Sequence, residues 1–422
     1  MSTFFMPSPE ELAEIDAKLY ATTPENCIPF ESRSKYMPWF DRFEITHTGY
    51  ALNNVYSWHA SSSKELERVL GPRGPKWVSR KKNDFEPIPK RLFNTDGGRL
   101  ERTIAIFSSW RVLTSQQFSA ISGMEPRNSR DFLTRLHRYG LLEQGHISRD
   151  GTDTRPPRLW RLRQGMELKG YLNALPDERK IRILNHIGIM SGGHDRHDLI
   201  AAEIAIRASE TMPRLQGVLG ERLSGAKELL PDQPDITSRG DLTIVRSDGL
   251  NIVIEVTTQP GVRTVKEKMA RWGRLLGERG GVNNTGLAVV FLVANHEKEA
   301  GTLTTLQRSH DKALTPMGLE KEGNPASPNI VKAARASVFV AHMNEWFPSP
   351  WFVSKDFVNL QIHYATKAGS WDHETRSLMN DLPFNPTNTN LDYHALQKSR
   401  ERIHAIPDWT EGPILHTAEP EL

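Results

Sequence analysis

Apolar positions recur every three or four residues along some stretches of the chain and every second residue along others. Leu12, Ile15 and Leu19 fall on one side of a helix predicted over Ser8 to Tyr20, which Ser8 to Glu11 open as a capping box. Beyond it the periodicity fades until Arg99. From there Ile104, Phe107 and Trp110 recur at three-residue spacing, and Thr114 or Ser115 caps a second helix that carries Phe118 and Ile121 and stops at Gly123. A third helix starts at Pro126, where a first turn tolerates proline, presents Phe132, Leu133 and Leu136 as its apolar face, and ends at Gly140. Two extended segments follow, around 144–148 and 159–163, joined by a turn region with Asp150, Gly151 and Pro156. Three helices and a β-ribbon predict a winged helix-turn-helix over residues 99–165.

The next region mixes the two rhythms. Helices are expected over Met166 to Ile189 and from about Arg196 to Glu210. Asp241-Leu-Thr-Ile-Val, a turn at Arg246-Ser-Asp-Gly249 and Asn251-Ile-Val-Ile-Glu255-Val-Thr-Thr read as a hairpin, because two β-branched runs flank Asp-Gly. A helix over Val262 to Glu278 turns Met269, Trp272 and Leu275 inward, and Leu287 to Ala294 is a strand of the fully buried kind. A helix to about Ala313 and a strand over Ala336 to His342 complete an α/β unit at 166–345. Residues 1–98 read as an arm with a basic linker, Gly71 to Phe93, and 346–422 as an irregular tail in which Trp346, Trp351, Trp371, Phe347 and Phe352 pack onto the body.

Composition adds exclusions. The longest apolar run, Leu287 to Ala294, is far below the ~20 residues of a bilayer span, and a single cysteine, Cys27, makes neither an internal disulfide nor a Cys-based zinc cluster. A soluble cytoplasmic protein without a membrane partner is expected. Net charge is only +3, but residues 71–165 hold 19 Arg or Lys against 9 Asp or Glu, so this quarter carries +10 and the rest −7. Residues 99–165 contain twelve arginines and no lysine, and the guanidinium fork suits phosphate oxygens and guanine edges. Arg127, Arg130, Thr134 and Arg138 form the polar face of the third helix. In a winged helix that helix enters the major groove while the wing, here with Arg149, Arg155 and Arg158, touches the backbone. Double-stranded DNA is the partner this arrangement implies.

The hairpin carries the candidate chemistry. Residues whose numbers sum to 496 or 497 lie opposite each other across its turn; in the 496 register Asp241 and Glu255 share one face. Such a pair repels itself unless a proton or cation intervenes, and Mg²⁺ typically takes one or two carboxylates with water and phosphate. Metal-assisted phosphodiester hydrolysis is the reaction this suggests. His194, Asp195, His197 and Asp198 read as a capping loop before a helix rather than as ligands.

The segments LTSQQFSAISG, RDFLTRLHRYGLLEQ, GDLTIVRSDGLNIVIEVTTQ and KEKMARW resemble the corresponding blocks of the plasmid replication-relaxation family, over roughly residues 99–345. The resemblance implies a winged helix followed by a PD-(D/E)xK nuclease-like α/β domain, in a protein of a plasmid or other mobile element, with transfer or replication proteins as partners and a homodimer as a possible state. It puts Asp241 at the first metal-binding acid, Glu255 at the second and Glu203 at the helix acid. The position two after Glu255, lysine in that pattern, is Thr257; Lys266 or Lys268 of the next helix would have to supply the ammonium group. Two functions follow as expectations: a Mg²⁺-dependent, relaxase-like DNA nickase, or a non-catalytic replication accessory or transcription regulator on a degenerate nuclease fold.

Overall fold

The computed structural model describes residues 27–29, 56–58, 87–89, 99–147, 158–163, 170, 173, 195–212, 215–230, 238–257, 263–294, 301–347, 352–371 and 375–380. The helix expected at Ser8 to Tyr20, nearly all of the basic linker and of the stretch Met166 to Ile189, and Arg149, Arg155, His194 and Trp351 lie outside them. The protein is a mixed α/β structure with a mixed sheet flanked by helices.

Two short strands, β1 (Cys27–Pro29) and β2 (Tyr56–Trp58), precede helix α1 (Arg99–Trp110). Then come β3 (Val112–Thr114), α2 (Ser115–Ser122), α3 (Pro126–Arg138), β4 (Leu142–Ile147) and β5 (Arg158–Leu162). Thr114 caps α2: its side chain accepts from the Gln117 amide, and the Gln117 side chain accepts from the Thr114 amide. Gly123 then ends the helix in the left-handed conformation. Phe118, Phe132, Leu133, Leu136 and Trp160 are buried between the three helices and a four-stranded sheet in the order β2-β4-β5-β3. The sequence rhythm revealed α1 to α3, β4 and β5, but not β2 or β3.

The second sheet is built from β6 (Leu215–Gly220), β7 (Leu242–Arg246), β8 (Asn251–Thr257), β9 (Leu287–Val293) and β10 (Val338–His342), in the order β10-β9-β8-β7-β6. β6, β7 and β8 are antiparallel, whereas β8, β9 and β10 run parallel. Its helices are α4 (Asp195–Thr211), α5 (Arg263–Glu278), α6 (Gly301–Ala313) and α7 (Pro328–Arg335). Both faces of β8 and β9 are covered, so every residue of these strands is buried. One face packs on α4 through Ile200, Ile204, Ile252, Ile254 and Val290. The other packs on α5, α6 and α7 through Val253, Val289, Phe291, Met269 and Trp272.

The apolar cluster on the α4 face continues without a break into α1, α2 and α3, joining Phe107, Phe118 and Leu133 to Ile204 and Phe339. Gly220, at the end of β6, is pressed against α1: a Cβ there would lie 2.6 Å from the Ser109 carbonyl oxygen, so only glycine fits this join. The same join contains a buried ion pair. Arg207 of α4 is 0 % exposed and donates to Glu203 at 2.8 Å; it also lies 5.3 Å from the Phe347 ring, while Gln117 of α2 donates to the other Glu203 oxygen. Removing one partner of such a pair strands a charge in the interior, and Glu203→Ala is expected to cost about 3–5 kcal/mol in a urea denaturation experiment.

The segment expected to be an irregular tail from 346 is folded as far as Asn380. It carries β11 (Phe352–Ser354), which pairs with β1, and β12 (Gln361–Ile362), β13 (Ala365–Lys367), β14 (Ser370–Trp371) and β15 (Arg376–Ser377). Trp346, Phe347, Phe357, Leu360, Leu378 and Met379 are buried in the main core, and the Arg246 guanidinium ties the segment to the hairpin through the Leu378 carbonyl. Its strands have only two or three residues, too few for an alternation to register. Trp371 donates to Asp311 and packs edge-on against His310. Burial holds His310 neutral and lowers its pKa to about 4. The unfolded chain therefore takes up this proton first: the contribution is complete above about pH 6.5 and is lost as pH falls through 4, about 3 kcal/mol in all. His310→Gln is expected to flatten the acid limb of the pH-dependent thermal midpoint.

Candidate active site

The hairpin turn Arg246 to Gly249 fixes the register. Gly249 takes φ +100°, its amide donates to the Arg246 carbonyl, and Val245 faces Asn251. Leu242 faces Ile254, which is the 496 register, and the ladder ends there; the Asp241 amide donates to the same Ile254 carbonyl at 2.9 Å, one position out of that register. Asp241 and Glu255 lie at this end of the hairpin, near enough for the Asp241 charge to act on Glu255, and are 6 % and 2 % exposed.

Each acid is held by its own donors. One Asp241 oxygen accepts from the Val256 amide at 2.6 Å and from His197 Nε2 at 2.8 Å. Its other oxygen accepts no hydrogen bond among the described residues. Glu255 accepts from Lys268 Nζ and from Trp272 Nε1, both at 2.8 Å and both from α5. Positions 268 and 272 are one turn apart, so a single helix face delivers both donors to one carboxylate. Lys266, the other candidate, is exposed on α5. Thr257 is buried at the end of β8 and supplies no cation.

Glu203, expected as the helix acid, lies elsewhere than beside Asp241 and Glu255. Glu203 is committed to Arg207 and Gln117 at the join with α2. Nearer the start of α4, His197 reaches across to Asp241, its Nε2 also 2.9 Å from the Val256 carbonyl, and its Nδ1 lies 3.7 Å from Asp198. His197 is thus a member of the site and not a capping residue. Asp198 is 6 % exposed, and its Oδ2 is buried without a hydrogen-bond partner. Glu221, just after β6, is close enough for its charge to act on Asp241, Asp198, His197 and Lys268, and Arg111 grips both of its oxygens at 2.7 Å. Arg111 sits at φ +54° immediately after α1, a conformation that favours glycine there. The first helical unit thus contributes a cation to the edge of the acid cluster. Sequence reasoning read Asp198 as a capping residue and missed Glu221, Arg111 and Trp272, because the first two lie at element ends and Trp272 reads as core.

Four carboxylates and three cations define the electrostatics. Burial opposes a charged His197, but Asp241 and Asp198 outweigh it and hold the imidazole protonated well above its usual range. Burial likewise opposes a charged Asp241, and His197, Lys268 and the Val256 amide overcome it, so this carboxyl stays below its ordinary pKa. Glu255 goes the other way: burial and then the Asp241 charge raise it to about 7, although Lys268 and Trp272 pull against them. Two neighbouring buried acids thus have their pKa values pushed in opposite directions. Among the described residues no three His, Cys, Asp or Glu side chains converge as a ready metal cage.

On α3, Arg127 and Arg138 are exposed and Arg130 is half-buried. Burial, followed by the charge of Arg130, lowers the pKa of Arg158 on β5, so the two guanidinium groups share a neighbourhood with each other. Arg127, Arg135, Arg138 and Arg158 form no ion pair among the described residues, whereas Arg111, Arg161, Arg207, Arg246 and Arg335 do. Thr134 spends its hydroxyl on the Arg130 carbonyl at 2.7 Å. No family model, no curated protein and no solved structure matches this chain.

Proposed function

We propose that the chain binds double-stranded DNA through the α3 and β5 arginines and cuts one of its strands at the Asp241–Glu255 site. On this reading α1 to α3 with β4 and β5 form a winged helix, and the second sheet with α4 to α7 is a PD-(D/E)xK-type nuclease core of a mobile-element protein. The observation that carries it is the acid pair with Lys268: two buried carboxylates that feel each other's charge at a hairpin end, one of them bonded to an ammonium. Lys268 supplies the cation that Thr257 lacks, so the relocated lysine restores a group able to stabilise phosphate charge. The arginine face supports the DNA partner, since unpaired guanidinium groups clustered on one helix and one strand favour a polyanion.

The residues present suit a divalent cation such as Mg²⁺. Asp241 keeps one oxygen open, Asp198 has a buried oxygen with no partner, and hard carboxylate oxygens are what Mg²⁺ takes. Asp241 and Glu255 would hold it. When bound, it would polarise the phosphoryl group and lower the pKa of attacking water. His197 orients Asp241, and Lys268 and Trp272 orient Glu255.

Supercoiled plasmid carrying the cognate site, incubated with Mg²⁺ or Mn²⁺, is expected to become nicked by the wild type but not by Asp241→Ala or Glu255→Ala. Equal nicking by all three proteins would rule out this site. One observation favours a second reading, a non-catalytic replication accessory or regulator: the departure from the pattern at Thr257. Tight cognate binding with no nicking under any divalent cation would select it.

A further inference from the structure

Among the described residues, Arg111 shares the left-handed backbone region with only two other non-glycine residues, Glu322 and Leu360. Glycine or asparagine would take its φ of +54° at little cost, so an arginine there points to a need for its side chain. That side chain ends in a fork: its two terminal nitrogens hold the two Glu221 oxygens, each at 2.7 Å. The partners are 22 % and 20 % exposed, so water screens the pair only in part. A fork of this kind occupies both carboxylate oxygens at once and fixes the orientation of the group.

The sheet brings Glu221 to the acid site. β6 ends at Gly220, which pairs with Leu242, and Leu242 pairs with Ile254. The next residue outward from this row is Glu221 after β6, Asp241 before β7 and Glu255 on β8. The chain then makes a single 3₁₀ turn, Glu221–Leu223, and the Ser224 carbonyl accepts from the Gly240 amide at 2.9 Å, which ties the turn to the residue before Asp241. Burial first, and then the charges of Asp241 and Asp198, hold the Glu221 carboxyl above its usual range although Arg111 pulls it down. An independent observation points to a cation here. Asp198 is 6 % exposed and its Oδ2 is buried with no hydrogen-bond partner, a state that a cation or a proton would satisfy. Asp241 and Asp198 each keep an oxygen without a hydrogen bond among the described residues, whereas Arg111 takes both oxygens of Glu221.

We propose that Glu221 is a reserve carboxylate of the acid site and that Arg111 is the positioning residue that holds it off a cation bound there. The unit that holds DNA on the proposed reading thereby sets how tightly the acid site takes its metal: Arg111 leaves α1 directly, and β3, which follows it, pairs with β5. The inference rests on the divalent-cation reading of Asp241 and Glu255, and on neither DNA binding nor cleavage. Calorimetric titration of Mn²⁺ into the metal-free full-length protein, at low ionic strength and pH 8, tests it with the wild type, Arg111→Gly, Glu221→Gln and the double variant. Glycine takes the left-handed conformation without strain, so Arg111→Gly should fold. With Glu221 released, it should bind Mn²⁺ about tenfold more tightly than the wild type, the scale of one added charge beside a partly buried site. Arg111→Asn, which also tolerates that conformation and cannot form the fork, should do the same, and it decides the question if the glycine variant does not fold. Glu221→Gln keeps the shape, leaves the Arg111 charge uncompensated and should bind about tenfold more weakly. The double variant removes both charges and should return to within about twofold of the wild type. A fork with a merely structural role would instead weaken binding in every variant. Affinity in Arg111→Gly and Arg111→Asn equal to or below that of the wild type, an unchanged affinity in Glu221→Gln, or a gain that persists in the double variant would overturn the proposal and leave Asp241 and Glu255 as cation ligands. Mn²⁺ binding by none of these proteins, or binding that survives Asp241→Ala at full strength, would remove the cation from this site and the inference with it.

Discussion

Asp241→Ala is expected to lower plasmid nicking on the order of 10³-fold or more, with DNA affinity unchanged. Losing one preorganised electrostatic group at a reacting centre typically costs about that factor, and Asp241 does more than one task. It holds the Val256 amide, it fixes His197, and it keeps one oxygen without a hydrogen bond among the described residues. Asp241→Asn separates these tasks, since an amide keeps the shape and loses the charge; it should be nearly as inactive. Lys268→Met should be impaired as well, because Glu255 then keeps only its Trp272 donor. The wild-type profile carries its own sign. Glu255 has its pKa near 7, so the carboxylate form that could act is a minority below that value. Nicking should rise about tenfold per pH unit up to about 7 and level off above it.

The second large effect concerns the other end of the molecule. Neutralising Arg127, Arg130 and Arg138 together should weaken DNA binding by roughly 10²-fold or more at moderate salt and make the dependence of log affinity on log salt shallower by about two to three. Arg127 and Arg138 are exposed and have no ion pair among the described residues, so the double variant that changes these two alone strands no buried carboxylate and should keep its thermal midpoint. Unchanged affinity and slope would remove the helix from the DNA interface.

Much of the fold could be read in the chain because strong periodicity and strong punctuation coincided there. Thr114 with Gln117, Gly123, Pro126 and Gly140 bracket helices that the apolar spacing already implied, and Asp248-Gly249 left only two registers for the hairpin. Residues at element ends carried no such signal. Glu221 follows β6, whose Leu-Gln-Gly-Val-Leu-Gly does not alternate, so neither the strand nor its acid stood out. His197 looked like a residue at a helix start because its partners, Asp241 and Val256, are more than forty positions away. Glu203 was the plausible helix acid by type, but its side chain faces α2, a choice made by tertiary packing of one unit against another and not by local pattern. The segment after 346 was missed for the same reason: its strands are too short to have a period, and what holds them is burial of Phe357, Leu360 and Met379 in a core assembled from elsewhere.

Calorimetric titration of Mn²⁺ into the metal-free protein, at pH 8 where Glu255 is ionised, tests the acid site without requiring a cognate sequence. The account expects saturable binding by the wild type, a large loss of affinity in Asp241→Ala, and a smaller loss in Asp198→Asn. Equal binding by wild type and Asp241→Ala, or no binding by either, would contradict it.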